Sequence, residues 1–332
     1  MIVANRRHIT KNFEFEVQFL AGDLEKKQLP YFFPSQFSNV RLGITYPQYD
    51  PSMLLHNGTI LLCGGRMKKC YQLFRGNWML HSTLNKSRVN YAVVSTQKAI
   101  FIFGGDHSRN TYEYLPKEST KWKWQIGKTE IPGGFQCGCA IAVKSEQEIW
   151  LIGDLFDGKK ILQFNVNDHT FKLMPTQLIV EIGPYSRCAL IPNSNKLMIM
   201  GSTYGGNGNI AEIVDIENES VTMTGPLMND RNDGWLMRLE MDVFKIDGED
   251  RIAVFSGLHG LRDQNRIIPE YLDTIELYNS HTNKWEPTNK TFNGKQRGYG
   301  FLKIKLSDII PELRCSVDYF RSKVVAKRNT MN

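Results

Sequence analysis

The chain has 332 residues, a formal net charge of +7 and 41% hydrophobic residues, which is typical of a globular protein. None of its apolar runs approaches the roughly 20 residues that span a bilayer, and no apolar segment typical of a secretory signal follows the first residues. Lysine and arginine are scattered apart from a basic C-terminal tail, so the sequence offers no basic stripe with stacking aromatics for nucleic-acid binding. On the sequence as given we expect an intracellular protein, and a secreted one if the N-terminus is incomplete.

Five short apolar runs along the chain each end in a glycine step. They occupy residues 61–65, 101–105, 150–154, 198–202 and 254–257. The marker glycines are spaced 40, 49, 48 and 56 residues apart, and they are Gly64, Gly104, Gly153, Gly201 and Gly257. Such regular spacing is typical of repeat proteins, whose units bury their faces only by stacking on one another.

Each repeat is predicted to contain four antiparallel strands. In the second repeat these are 91–94, 99–103, 111–114 and a strand that starts at Trp122. The second strand is apolar throughout, which predicts a strand covered on both faces. Alternation on the third strands directs one set of residues to the core, and a bulky residue after the next turn is predicted to pack between sheets: Trp78, Trp122, Phe171, Val221 and Trp285.

Both ends of the chain are predicted to contribute to a further repeat. Residues 299–306 indicate an inner strand, and residues 13–19 alternate with period 2 as an outer strand does. Pairing of strands from the two ends would remove open sheet edges. We therefore predict an N-terminal segment 1–40 that contributes a closing strand, a repeat domain 41–310, and a C-terminal segment 311–332 with a basic tail.

The glycine pair after the second strand, the tyrosine in the third strand and the tryptophan after the next turn together resemble the kelch repeat. The first, second and fifth repeats match, whereas the third and fourth have Gly153-Asp154 and Gly201-Ser202 for the glycine pair. The resemblance covers residues 40 to 300. It implies an all-β fold, a kelch-type β-propeller with six blades of four antiparallel strands.

The six cysteines leave the redox compartment open. Cys63 and Cys70 stand on either side of a short turn, so they are either free buried thiols or a disulfide across a hairpin. A disulfide would indicate an oxidising compartment. Four glycosylation sequons fall in predicted turns, at Asn57, Asn85, Asn218 and Asn289, and about three are expected by chance in a chain of this composition.

An arginine stands just before the predicted inner strand of five repeats. Inner strands line the channel of a propeller, so these arginines would ring one mouth of it. They either bond to loop carbonyls of the adjacent blade or form a basic mouth for an acidic or polar segment of a protein partner. With neighbouring aromatics and residues of the long loops on the same face, the predicted partner-binding set is Arg41, Arg88, Arg187, Arg231, Arg297, Tyr91, Tyr185, Trp235, Arg109, Phe156, Tyr204, His259 and Arg262.

The sequence contains no recognisable catalytic motif, and Cys137, Cys139 and Cys188 would lack a fourth ligand for a metal site. We therefore predict a non-catalytic module that binds a protein partner through its loop face and channel mouth, with no cofactor and no metal. One alternative is a secreted or cell-surface kelch protein with disulfides and sugars. Another is a galactose-oxidase-like or sugar-epimerase-like propeller enzyme, although the seven histidines show no paired copper-binding pattern.

Overall fold

The structure is a computed structural model in which strands are the only regular elements of the described residues. None of the described segments is a helix with the length and apolar character to cross a membrane. The described residues are 2–9, 12–19, 52–56, 59–64, 68–74, 77–118, 122–136, 138–153, 158–183, 186–201, 210–228, 239–246, 249–256, 258–263, 266–271, 274–291 and 298–302.

The chain begins with strands β1 (Ile2–Ile9) and β2 (Asn12–Phe19), and five four-stranded antiparallel sheets follow. The first sheet contains β3 (Ser52–His56), β4 (Thr59–Cys63), β5 (Lys69–Phe74) and β6 (Asn77–Thr83). The second contains β7 (Ala92–Ser95), β8 (Ala99–Phe103), β9 (Tyr112–Pro116) and β10 (Gln125–Ile126). The third contains β11 (Cys139–Val143), β12 (Glu148–Ile152), β13 (Lys160–Asn165) and β14 (Phe171–Gln177).

The fourth sheet contains β15 (Arg187–Leu190), β16 (Lys196–Met200), β17 (Ala211–Asp215) and β18 (Val221–Met223). The fifth sheet is interrupted by a hairpin. Its strands are β19 (Leu239–Ile246), β20 (Glu249–Ser256), β23 (Thr274–Asn279) and β24 (Lys284–Thr291), and the hairpin is β21 (Leu258–Asp263) with β22 (Arg266–Tyr271). The segment that contains the predicted binding residues His259 and Arg262 is therefore largely a two-stranded ribbon.

A three-stranded sheet joins the two ends of the chain. The last strand, β25 (Gly298–Leu302), pairs with β1, and β1 pairs with β2, so the predicted segment 13–19 forms the outer strand. Strand β1 was not predicted. The innermost strands β3, β7, β11, β15 and β19 lie against one another in chain order, and β25 lies beside both β19 and β3.

Alternation along the second strands builds the interior between sheets. On β8, Ile100 and Ile102 pack toward the first sheet, whereas Phe101 and Phe103 pack toward the third. All five residues of this strand are buried, as the continuous apolar run predicts. Each second strand is thus covered on both faces because its neighbours supply the opposing apolar surfaces.

The glycine steps adopt the left-handed backbone that side chains disfavour. Gly104 and Gly105 have φ values of +66° and +105°, and a Cβ on Gly105 would lie 2.8 Å from the carbonyl oxygen of Val89. Both the dihedral angle and the close approach therefore require glycine at this point.

The tryptophan that enters the interface of the second sheet is Trp124, and the prediction of Trp122 is wrong. Trp124 is 1% exposed and its Nε1 donates to Ser82 Oγ at 3.0 Å, whereas Trp122 is 40% exposed and lies against the ring of His81. In the fifth sheet Trp285 follows the last core residue of the third strand, Tyr278, by seven positions. The matching interval from Leu115 to Trp124 is nine, because the turn after β9 is two residues longer.

Four of the cysteines form two disulfides in the structure. Cys63 pairs directly with Cys70 across β4 and β5, with their Cα atoms 4.1 Å apart. Cys139 on β11 is joined to Cys188 on β15, with Cα atoms 6.0 Å apart. The first bridge closes one hairpin, whereas the second links the innermost strands of two adjacent sheets.

We expect the second bridge to stabilise the protein more than the first, because it closes a longer loop. The bridges span sequence separations of 49 and 7 residues. Chain-entropy arguments then assign losses of roughly 4 and roughly 2 kcal/mol on reduction. Urea unfolding with and without reductant would measure this on a C63A/C70A variant, which keeps only the longer bridge, and on a C139A/C188A variant, which keeps only the shorter. Unreduced peptide mapping that finds free thiols at these four positions would contradict the assignment.

Candidate functional site

Three glutamates on the third strands of their sheets are fully enclosed. Glu113, Glu212 and Glu276 are 0%, 1% and 0% exposed, and we call them the clamp glutamates. Each accepts backbone N–H groups from the segment that links the preceding sheet to its own. Glu212 accepts from the amides of Ile179 and Val180, both at 2.7 Å. The amide of Met228 donates to Glu276 at 2.6 Å. The carboxylates thus satisfy backbone donors that have no strand partner.

Burial and hydrogen bonding act on Glu212 in opposite directions. Burial raises the pKa of its carboxyl, because the charged form is desolvated, and the two backbone amides and the positive charge of Lys159 oppose that rise. A neutral acid could accept from both amides less well than the carboxylate does. The clamp therefore stays strongest in the ionised state.

The clamp glutamates recur at one position of the third strand, a pattern in the sequence that was not used in the prediction. A glutamate stands between two core residues of the third strand in the second, fourth and fifth repeats, in Tyr112-Glu113-Tyr114, Ala211-Glu212-Ile213 and Ile275-Glu276-Leu277. The strand register places Tyr71 at the same position in the first repeat and Leu162 in the third, so these two sheets lack the carboxylate. An ionisable residue repeated at a core position indicates a buried carboxylate with a dedicated partner.

Glu113 has a second partner in Arg88. The Arg88 Nε lies 3.1 Å from Glu113 Oε1, and both side chains are completely buried. The remaining Arg88 donors bond to the carbonyl of Gly104 at 2.6 Å and to the carbonyl and hydroxyl of Thr111 at 2.8 and 3.0 Å. Burial lowers the pKa of the Arg88 guanidinium, and the negative charge of Glu113 opposes that effect.

This geometry corrects the prediction that Arg88 lies at an exposed basic mouth. With no exposed surface and its donors directed to groups of its own sheet, Arg88 cannot contact a partner. The bonds are structural, as one of the two interpretations held, but they join parts of the second sheet rather than adjacent blades. Tyr91 is also buried, and its hydroxyl donates to the carbonyl of Cys63 at 2.6 Å. Tyr91 therefore joins the second sheet to the first.

Arg187 is half-buried at the start of β15. One of its Nη1 hydrogens is donated to the carbonyl of Ser186 at 3.1 Å. The hydroxyl of Ser186 in turn donates to the carbonyl of Ile152 in the preceding sheet. This repeats the contact that Tyr91 makes with Cys63. The described part of the chain thus places the residues before β7 and β15 in contacts between sheets.

The other members of the predicted binding set are only partly covered by the structure. Arg109 is exposed on the loop between β8 and β9. His259 and Arg262 belong to strand β21, whose side chains are outside the description. Seven further members lie outside the described residues, and they are Arg41, Arg231, Arg297, Tyr185, Trp235, Phe156 and Tyr204.

Two of the four sequons can be compared with the structure. The Asn85 Nδ2 donates to Glu113 Oε2 and to the carbonyl of Trp124, both at 2.9 Å. Its amide nitrogen is thus engaged in the clamp and is unsuited to a sugar. Asn218 lies in an exposed turn, where its Oδ1 accepts from the backbone amide and the hydroxyl of Ser220. Asn57 is outside the described residues, as is the side chain of Asn289.

The loop between β8 and β9 meets the segment that leads into β11. The amide of Gly105 donates to the carbonyl of Phe135 at 3.0 Å, and the amide of Asp106 donates to the carbonyl of Val89 at 2.9 Å. Asn90 and Gln136, the next residues in each segment, therefore flank this two-residue bridge. The Asn90 Nδ2 lies 3.0 and 3.2 Å from the two carboxylate oxygens of Asp106. We call Asn90, Asp106 and Gln136 the mouth cluster.

His169 is half-buried among aromatic rings between the second and third sheets. Its Nδ1 lies 3.2 Å from the hydroxyl of Tyr112, and its ring meets that of Tyr114 edge-on at 4.7 Å. Burial lowers the pKa of His169, Asp168 opposes this effect, and Lys128 adds to it. Within the described residues, no group of three or more histidine, cysteine or acidic side chains is arranged to hold a metal ion.

No protein-family model matches the sequence, and no curated protein matches it. The solved structure named "Structure of YjhT" is similar to this chain with a TM-score of 0.59, over 76% of this chain and 86% of that chain, at 10% sequence identity. At this identity the likeness is one of fold alone. Together with the five four-stranded antiparallel sheets, it identifies the chain as a β-propeller protein.

Replacement of a clamp glutamate by glutamine should destabilise the protein, and the loss should be larger where a buried charge is left unpaired than where only backbone hydrogen bonds are weakened. Glu113→Gln leaves the buried charge of Arg88 without its counterion and should lower the free energy of unfolding by about 3–5 kcal/mol. Glu212→Gln weakens two backbone contacts and should cost about 1–3 kcal/mol. Urea denaturation followed by circular dichroism measures both values. The exposed Glu118→Gln serves as the control, and equal losses in all three variants would contradict the clamp.

Stability should fall on acidification through the titration of His169. Its pKa in the folded protein is below the ordinary value of about 6.5, so the unfolded chain binds the proton first and the free energy of unfolding decreases below that pH. His169→Asn should flatten this pH dependence between pH 7.5 and 5. Asparagine suits the site because Asn283 adopts the same left-handed backbone in the matching turn. The exposed His281→Asn is the control, and an unchanged slope in His169→Asn would contradict the assignment.

Proposed function

We propose that this protein is a non-catalytic interaction module of the kelch type, which binds a protein partner through the loop face and channel mouth of a six-bladed propeller. The glycine steps with positive φ and the buried Trp124 and Trp285 support kinship with the kelch repeat. Support for a sixth blade comes from β25, which lies between β19 and β3 and pairs with the N-terminal strand β1. A ring closed in this way has no free edge strands in its interior.

The observation that carries the binding proposal is the loop between β8 and β9. Its backbone is fixed at several points: Ser108 N bonds to Gly105 O at 2.8 Å, Phe135 N to Arg109 O at 2.9 Å, and Ile131 N to Asn110 O at 2.9 Å. The side chains of Asp106, His107, Arg109 and Asn110 are nevertheless exposed. A rigid loop that presents several polar side chains to solvent has the properties of a recognition surface.

We propose a partner segment that is less acidic than the one the sequence predicted. With Arg88 buried, the acidic-segment hypothesis depends among described residues on Arg109 and the half-buried Arg187. A mixed polar segment fits the exposed loop better, because Asp106 and Arg109 present both signs of charge.

A second candidate is a secreted or cell-surface propeller with the same binding role. The two disulfides favour it, because disulfides persist in oxidising compartments and are rare in the cytosol. Asn218 then becomes the sequon whose described geometry suits a sugar. The two candidates differ in compartment and not in the surface that binds.

Replacement of His107 and Arg109 together by alanine should reduce capture of the native partner at least tenfold, because exposed side chains on a fixed loop act in binding without supporting the fold. Affinity capture from the native source, quantified against the wild-type chain, measures this. The matched control is H281A/K284A, an exposed histidine and lysine in the turn between β23 and β24, at the opposite end of the strands.

Two results would contradict the proposal. A H107A/R109A variant that melts as the wild type does and captures the same partners equally well would move the binding surface elsewhere. A stoichiometric metal ion or a covalently modified tyrosine in protein purified from its native source would contradict the non-catalytic assignment.

A further inference from the structure

Two buried oxygen atoms of the mouth cluster lack a hydrogen bond. Asn90 Oδ1 and Gln136 Oε1 are enclosed and accept nothing from the described part of the chain. Buried side-chain acceptors almost always have a donor, so an unpaired one indicates a role that the isolated fold does not fulfil. Both atoms belong to residues that follow a backbone contact with the loop between β8 and β9.

The backbone brings these two amides together from different sheets. Gly105 and Asp106 are consecutive residues, and they bond to Phe135 and Val89, the residues that immediately precede Gln136 and Asn90. The strands that follow, β7 and β11, lie against each other as innermost strands. The backbones of Asn90 and Gln136 are therefore held on either side of the loop between β8 and β9.

The side-chain amide of Asn90 is fixed in orientation by Asp106. Its φ of +56° is in the left-handed region, which residues other than glycine rarely adopt. Its Nδ2 donates to the carboxylate of Asp106, which fixes the amide so that the oxygen faces away from that carboxylate.

The mouth cluster offers acceptors and a negative charge. Two amide oxygens and the exposed carboxylate of Asp106 together suit a group with several N–H donors, a positive charge and no acceptor. A primary ammonium has these properties, with three donors on a compact cation. An acidic group would be repelled, and a neutral hydroxyl would gain no charge-assisted bond.

We propose that the mouth cluster binds the ammonium group of a lysine side chain presented by the partner. This inference rests on the proposed function, since the lysine belongs to the protein that binds the loop face. It also assigns a basic residue of the partner to a surface for which the sequence alone predicted an acidic or polar segment. The ammonium would reach Asp106 from solvent and direct its other hydrogens to Asn90 and Gln136.

The probe for this inference is the blocked peptide acetyl-Gly-Lys-Gly-amide, titrated into the full-length ¹⁵N-labelled protein. We expect saturable shifts of the side-chain amide signals of Asn90 and Gln136, assigned from the Asn90→Ser and Gln136→Leu variants. The Nε-acetyl-lysine peptide, which lacks the charge, should bind at least tenfold more weakly. Free butylamine should bind more weakly than the peptide, and tighter binding of butylamine would overturn the assignment to a partner's lysine.

Variants separate this site from general attraction between charges. Asp106→Asn should weaken peptide binding at least tenfold, whereas the exposed control Asp250→Asn should leave it unchanged. Gln136→Leu removes one unpaired acceptor, and it should weaken the peptide without lowering the melting temperature. Three outcomes would overturn the inference and leave water as the occupant. Gln136→Leu could bind the peptide as tightly as the wild type does, Asp250→Asn could weaken binding as much as Asp106→Asn does, or the titration could give no saturable shift. These outcomes are independent of the capture experiment with H107A/R109A, which tests the proposed function alone.

Discussion

Buried carboxylates that hold the segments between sheets are the interaction on which the rest of this structure depends. Each linking segment leaves the outer strand of one sheet and must return to the innermost strand of the next, so its amides cannot join a β ladder. These amides instead donate hydrogen bonds to Glu113, Glu212 and Glu276, which lie on the third strand of the sheet that the segment enters. The charge is costly to bury, and short hydrogen bonds to each carboxylate offset that cost.

Other hydrogen bonds also connect neighbouring sheets, at other positions along the strands. Tyr91 and Ser186 reach the carbonyls of Cys63 and Ile152 in the preceding sheet, and the Nε1 of Trp124 reaches Ser82. Apolar residues of the second strands fill the space between these polar contacts. No sheet buries both its faces alone, so stability is shared between nearest neighbours, as in other repeat proteins.

A scaffold fixed in this way presents its loops with little freedom, which favours recognition because less conformational entropy is lost on binding. Arg88 is buried in the interior, whereas the side chains of Asp106 and Arg109 are exposed at the surface. The charge of the surface around the loop between β8 and β9 is therefore set by which side chains the fold leaves exposed, and not by the count of arginines before the strands. Asn90 and Gln136 add buried acceptors beside the exposed carboxylate of Asp106.

The sequence by itself determined the local features of this protein, because these depend on near neighbours along the chain. Strand alternation, the fully apolar second strand 99–103 and the glycine steps such as Gly104 could be predicted from period and backbone freedom alone. Only the tertiary structure decided which side chains meet. The partner of Arg88 lies 25 residues away, and the choice of Trp124 over Trp122 follows from the length of a turn. The mouth cluster depends on two segments that share one backbone bridge, and no spacing in the sequence encodes that pairing.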